Sequence, residues 1–248
     1  MARMLIADDF GLGRRHDKVI LDLLEERRID GTSVMIDGGI APKDRERLIV
    51  AREKGALVGL HLNLTHGFSE GTFHLSVGDL LRLCLTGRAP DRAKQEFRRQ
   101  AEAFQTVFGF LPDYYDGHQH CHCFPGLAAV AADLPRAEAS WMRLPLPASL
   151  GGLVLNIRSG GLKVALIAGF ALLARRTFRK AGWPMNHDFS GFLRLDRPED
   201  VAHWMPELFK AAGDLMMVHP GAADDRSQCP GHAAQSRSVE ADILRRRP

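Results

Sequence analysis

The chain has 248 residues, 45% of them hydrophobic and 25% charged, which excludes a disordered polymer and a disulfide-stapled miniprotein. Its 33 Lys and Arg stand against 30 Asp and Glu for a formal charge of +3, with both signs spread along the chain, so no basic stripe marks a nucleic-acid binder. The length suits one α/β domain over residues 1–248.

The N-terminal apolar run meets Asp8 and Asp9 at once and lacks the apolar core of a signal peptide, so a cytoplasmic protein is expected. Cys84, Cys121, Cys123 and Cys229 then read as reduced thiols, since Cys121 and Cys123 flank a single residue and suit no disulfide framework. Strands are expected at 4–7, 31–36, 57–64, 114–122, 141–144 and 215–219, where short apolar runs are bounded by Gly, Pro or Asp. Helical periodicity falls between them, at 15–28, 42–54, 92–108, 161–180 and 198–212. This alternation predicts a parallel sheet covered by helices, with no repeat and no linker.

Polar residues cluster near the carboxyl ends of those strands, the face where loops converge over a packed core. Asp8 and Asp9 close the first strand, either as caps for the next helix or as paired carboxylates pointing in opposite directions for separate tasks. His61 is flanked by apolar residues and reads as a hydrogen-bonded core histidine or as a ligand. On an extended fourth strand, Asp116, His118, His120 and His122 share one side, so that one or two of them bind a metal or the strand is a His-rich patch. Cys121 and Cys123 point the other way, into packing. Arg143 ends the fifth strand, where it grips a carboxylate bidentately or forms an ordinary salt bridge. His219, held by the turn at Pro220 and Gly221, is a proton donor or a packing residue. Trp183, Phe189 and Phe192 form an apolar wall for a sugar ring or anchor their loop. Gly11 and Gly13 lack the third glycine of a dinucleotide fingerprint, and Cys229 with His232 lacks the second pair of a zinc knuckle.

Taken in order, the Asp8–Asp9 turn, the His61 strand through Thr65, the Asp116–His122 segment and the His219–Gly221 turn resemble the YdjC-like carbohydrate deacetylases, which include chitooligosaccharide and hopanoid-associated deacetylases. The resemblance runs from residue 4 to about residue 240. It implies a single-domain (β/α) barrel, distorted or incomplete, related to the polysaccharide deacetylases. It also implies a metal-dependent hydrolase that removes acetyl from an N-acetylated amino sugar and releases acetate. By position, Asp9, His61 and His118 are the implied ligands of one divalent ion, Zn or Mg, and Asp8 the implied base. Arg143 would then orient Asp8, and His219 would protonate the departing amine. The chain departs from the family pattern at Gly117, Gln119 and Cys121, and has Asp37 where Asn is frequent. About eleven residues follow Arg237, so the closing helix reads as abbreviated.

Two rivals stand beside this reading: a metal-dependent phosphoesterase or amidohydrolase on a barrel scaffold, and a catalytically inactive sugar-binding relative. The first usually places a His-x-His pair on the first strand, where this chain has Asp8 and Asp9. The expected partner is an N-acetylated sugar and not a nucleic acid, and a homo-oligomer is compatible with the sequence. Residues 146–179, apolar and then basic, suggest a lid, a packing helix or a peripheral membrane contact for a lipid-linked substrate.

Overall fold

The computed structural model describes residues 3–69, 72–89, 91–211, 213–227, 229 and 232–247. Among them six parallel strands form one sheet in the order β5-β4-β3-β2-β1-β6: β1 Met4–Phe10, β2 Gly31–Val34, β3 Leu57–Leu62, β4 Tyr114–Gly117, β5 Trp141–Met142 and β6 Leu215–Val218. Consecutive strands are neighbours from β1 to β5, and β6 returns to the free side of β1, as in a barrel laid open at one place. There the segment 184–190 stands in for missing strands. Met142 donates its amide to Pro184 (2.9 Å), Ser190 to Leu215 (3.0 Å) and Met217 to Ser190 (3.0 Å). Parallel bridges Met142–Met185 and Ser190–Met216 lie in the same stretch. The fold is therefore an incomplete (β/α) barrel whose edges are joined by irregular backbone.

Helices cover the outside. α1 Arg14–Glu25, α2 Pro42–Glu53, α4 Asp91–Phe108, α7 Lys163–Lys180 and α8 Pro198–Ala211 match the expected periodic segments to within a few residues; residue 212 lies outside the described residues. α3 Val77–Leu85, α5 Leu127–Ala132, α6 Leu150–Gly160 and α9 Ala234–Arg246 were not expected as helices. α3 begins on a side-chain N-cap, in which the Ser76 hydroxyl accepts from the Asp79 amide (3.1 Å) and donates to the Asp79 carboxylate (2.6 Å). α6 is capped likewise by Ser149 on the Gly152 amide (3.0 Å). Gly161, at φ 86°, separates α6 from α7. The end expected to be abbreviated is a 13-residue helix, α9.

The main core lies between sheet and helices, and a smaller one, with Ile6, Tyr114, Phe189, Leu215 and Met217, fills the inside of the curl. Side chains alternate across a strand, so the residues two positions beyond an inward apolar residue form the next layer up. Ile6 is followed by Asp8, Tyr114 by Asp116, Trp141 by Arg143 and Met217 by His219. In the same register Gly59 precedes His61, and a Cβ at Gly59 would meet the Tyr114 ring at 2.4 Å. An apolar floor thus carries a polar layer at the carboxyl ends of the strands. The turn after β1 is held close to the turn after β2, where a Cβ on Gly38 would lie 1.8 Å from the Gly11 carbonyl oxygen. Backbone faces backbone here and has no side chain to yield, so Gly38→Ala should lower the unfolding free energy by about 3 kcal/mol, read from a urea titration.

Candidate active site

The polar layer opens into a cleft of about 480 Å3 lined by Asp8, Asp9, His61, His118, His120, Phe192, His219 and Arg237, among others. The register of β1 against β2 slips between Ala7 and Phe10, and Asp9 adopts the left-handed φ of 69°. Such a bulge redirects side chains, and a left-handed non-glycine residue is strained backbone that the surroundings hold in place. Its result differs from the alternation expected of neighbouring strand residues: Asp8 and Asp9 both face the cleft.

Asp9 Oδ1 lies 3.1 Å from His61 Nε2 and 2.9 Å from His118 Nδ1, and its Oδ2 accepts from Arg237 Nη2 at 2.5 Å. Burial alone would raise the Asp9 carboxyl, but Arg237 and the two imidazoles outweigh it and hold it well below the usual range. His61 donates from Nδ1 to Asp116 (2.6 Å), which fixes its ring with Nε2 toward Asp9. Burial alone would lower His61; the carboxylates of Asp116 and Asp8 prevail and push it up to about 10. Asp116 also accepts from Ser33 (2.5 Å) and pairs with Arg143 (2.9 Å). Arg143 in turn clamps both oxygens of Asp8, each at 2.5 Å, so its bidentate reading holds.

The donor set fits one divalent cation. Ligand atoms bound to one cation at about 2.1 Å with tetrahedral or octahedral angles sit about 3.0–3.4 Å apart, close to the spacings around Asp9. The chosen atoms of Asp9, His61 and His118 all lie within 4.8 Å of one another. Two imidazoles and a carboxylate form a borderline donor set, and the Asp116–His61 bond is the second-shell carboxylate that ligating histidines commonly have. A second cluster, His16, Asp225 and His232, is taken up by structure. Asp225 accepts the Arg15 and Ser227 amides (both 3.0 Å), and His16 Nδ1 accepts the Ala222 amide (2.9 Å), which ties the loop after β6 to the start of α1.

The expected His-rich strand is not one. β4 ends at Gly117, and His118–Cys123 form a tight 3-10 turn in which Gln119 and His120 have φ of 55° and 57°. This breaks the alternation, so only His118 reaches the Asp9 group. His120 turns toward Phe192 and Phe189, with ring centroids 5.3 and 6.1 Å away. His122 is fully buried and donates from Nε2 to the Arg143 carbonyl (2.8 Å). Cys121 and Cys123 are buried, in keeping with packing.

Phe192 lines the cleft, whereas Trp183 does not. Its ring packs against Tyr115 outside the curl, and its indole donates to the Ala132 carbonyl (2.8 Å), so Trp183 is a loop anchor and no wall for a sugar. His219 faces the cleft and its amide donates to Glu240 at 2.6 Å. Burial pushes the imidazole down to about 4 and the Glu240 carboxyl up to about 7. Sequence reasoning missed Arg237 and Glu240 as site residues. Both face the core from α9, three residues apart, and charges recurring at helical spacing on a buried face were the available signal.

Two outcomes follow. Asp116→Asn should weaken divalent-cation binding by about 10–100-fold in a calorimetric titration, because it loosens the ring that presents His61. His122 is pushed down to about 4 by burial, while in the unfolded chain it titrates near about 6.5. The unfolded state therefore binds the extra proton, and stability contributed by neutral His122 is lost as pH falls from about 6.5 toward 4, by about 2 kcal/mol at pH 5. His122→Gln keeps a donor for the Arg143 carbonyl without titrating, so its urea midpoint should depend less on pH over that window.

A family model described as YdjC-like protein matches residues 4–247. A human carbohydrate deacetylase is 28% identical over 167 residues, 61% of this chain and 51% of that protein. A mouse carbohydrate deacetylase is 25% identical over 88% of this chain and 77% of that protein, and a Serratia marcescens chitooligosaccharide deacetylase is 29% identical over 58% and 60%. The chain thus spans about half the length of the human relative it matches. A crystal structure from Enterococcus faecalis V583, provisionally described as a cellobiose-phosphate cleavage protein, superposes with a TM-score of 0.63 at 16% identity over 97% of this chain and 89% of that one, a likeness of fold. With the family model matched over nearly its whole length, this chain belongs to the YdjC-like family.

Proposed function

We propose that this chain is a divalent-cation-dependent hydrolase that removes the acetyl group from an N-acetylated amino sugar. The observation that carries the proposal is the convergence of Asp9, His61 and His118 on one point beside an Asp8 locked by Arg143. The names of the relatives, carbohydrate deacetylase and chitooligosaccharide deacetylase, support the same substrate class.

Asp9, His61 and His118 would hold the cation. Bound there, a divalent ion supplies Lewis acidity toward water and the acetyl carbonyl. Asp8 is the proton acceptor for the attacking water. Arg143 fixes the plane of the Asp8 carboxylate; Oδ1 also accepts from the Ser33 hydroxyl (3.4 Å), and Oδ2 keeps a second lone pair for the incoming proton. Arg237 neutralises the outer oxygen of Asp9 and keeps that carboxylate ionised. Phe192 and Ile167 offer apolar surface at the cleft wall. His219 is the proposed donor to the departing amine, which is a very poor leaving group unless protonated. Its low resting value means that it enters the cycle neutral at pH 7, so the proton it gives the amine is the one the attacking water releases to Asp8, passed on before the C–N bond breaks to leave acetate and the free amine.

Purified protein should release acetate from an N-acetylated glucosamine oligomer, and phosphate release from phosphoester substrates in its place would overturn the assignment. Asp9→Ala and His118→Ala should lose both bound cation and turnover. His219→Ala should keep the cation, measured by elemental analysis, while kcat falls by about 100- to 10,000-fold. Full turnover in that variant would remove His219 from the acid role.

A further inference from the structure

We infer that the outer face of α6 and α7 is a docking surface for an anionic lipid bilayer, which it meets by lying flat on it. α7 is apolar on two sides. Val164, Ala168, Ala171, Ala174 and Phe178 face the protein, the ordinary stripe of a helix on a barrel. Leu162, Leu166, Leu172 and Leu173 recur at helical spacing on the opposite side, with Leu162 83% and Leu173 56% exposed. Ala165 and Gly169 fill the positions between them and are also exposed. Leu150 and Val154 extend the same character along α6. Phe170, by contrast, turns inward against Phe124. Six of the eight large hydrophobic residues that are exposed among the described residues therefore fall within 150–173. Leucines that gather on one face in this way mark a binding surface, whereas scattered ones do not.

Charge selects the occupant. The even mixing of signs over the whole chain fails here: residues 139–187 contain no Asp or Glu. Arg158, Lys163, Arg175, Arg176, Arg179 and Lys180 are all exposed in that stretch. Apolar residues flanked by basic side chains suit a layer of acyl chains beneath anionic head groups. A second copy of the chain fits less well, because a symmetric pairing sets one basic face against an identical one. Among the described residues no helix is long and apolar enough to cross a membrane, so the contact lies in the plane of the surface.

The position of this face has a consequence for access. Lys163 and Ile167 line the cleft, and each adjoins a residue of the exposed stripe, Leu162 and Leu166. The rim of the cleft thus lies beside the docking surface, about a quarter-turn round the helix from it.

The test is co-sedimentation with vesicles of about three parts phosphatidylcholine to one part phosphatidylglycerol, against phosphatidylcholine alone. It needs no substrate or cation and is independent of the deacetylase reading. Wild-type protein should pellet with the anionic vesicles and much less with the neutral ones. Leu166→Asp combined with Leu173→Asp should weaken binding by about tenfold or more, with far-UV circular dichroism and melting temperature unchanged. Arg175→Glu combined with Arg176→Glu, at exposed sites, should abolish the preference for anionic lipid if the leucine variant folds poorly. Wild-type protein that stays in the supernatant, or variants that pellet as wild type does, would overturn the inference. So would sedimentation velocity showing a wild-type dimer that the leucine variant turns into a monomer, since the face would then be a self-interface.

Discussion

Arg143 is fully buried between Asp8 and Asp116, on strands that are far apart in the order of the sheet. A guanidinium in that position is tolerated only while both carboxylates reach it, and losing one partner of such a buried pair costs on the order of 3–5 kcal/mol. The sheet must therefore curl until β1 and β5 face each other across the interior. Asp116 also fixes His61, so the contact that closes the barrel orients a candidate ligand as well. Assembly of the site and completion of the fold are one event.

The last helix adds a second closure. Arg237 reaches Asp9 from 228 positions further along the chain, and Glu240 accepts the amide of His219. The strained Asp9 backbone and the turn after β6 are thus both held by α9, which otherwise packs on α8 and α1. A cluster of Asp and His alone would repel itself or take up protons, and Arg237 and Arg143 supply the compensating charge.

Strand positions were legible because each is a short apolar run that ends on a polar residue, which put Asp8, His61, Asp116 and Arg143 near the carboxyl ends of their strands; the period-two rule was applied to the Asp8–Asp9 pair and to the row from Asp116 to His122. That rule failed where backbone left the extended region. At Asp9 a bulge turned the carboxylate back toward its neighbour, and at Gln119 and His120 a left-handed pair removed two histidines from the expected row. Residue type announces these events only weakly: Asp and His enter the left-handed region more readily than most side chains, but glycine occupies neither turning position. Trp183 misled for another reason. An aromatic ring beside a turn serves equally well as wall or anchor, and only tertiary packing on Tyr115 decides. Arg237 and Glu240 lay in a helix whose apolar pattern is thin, because its buried positions include these charged residues.

The stretch 184–190 gives the barrel an unusual seam. The four inner strands are each fixed by two neighbours, whereas here the edge strands β5 and β6 are joined through the amides of Met142, Ser190 and Met217 and through the Asp214 carboxylate, which accepts the His187 and Asp188 amides. Side chains do part of the holding: Asn186 accepts the Leu144 amide (2.6 Å) and donates to its carbonyl (2.9 Å), and Asp188 accepts the Ala148 amide (2.7 Å). The segment joins the two edges of the curl without itself lining the cleft, whose wall on this side is made by Phe192 and Leu193 just beyond it. Replacing Asn186 or Asp188 would therefore loosen the closure of the barrel first and reach the cleft only through Phe192 and Leu193 beyond it.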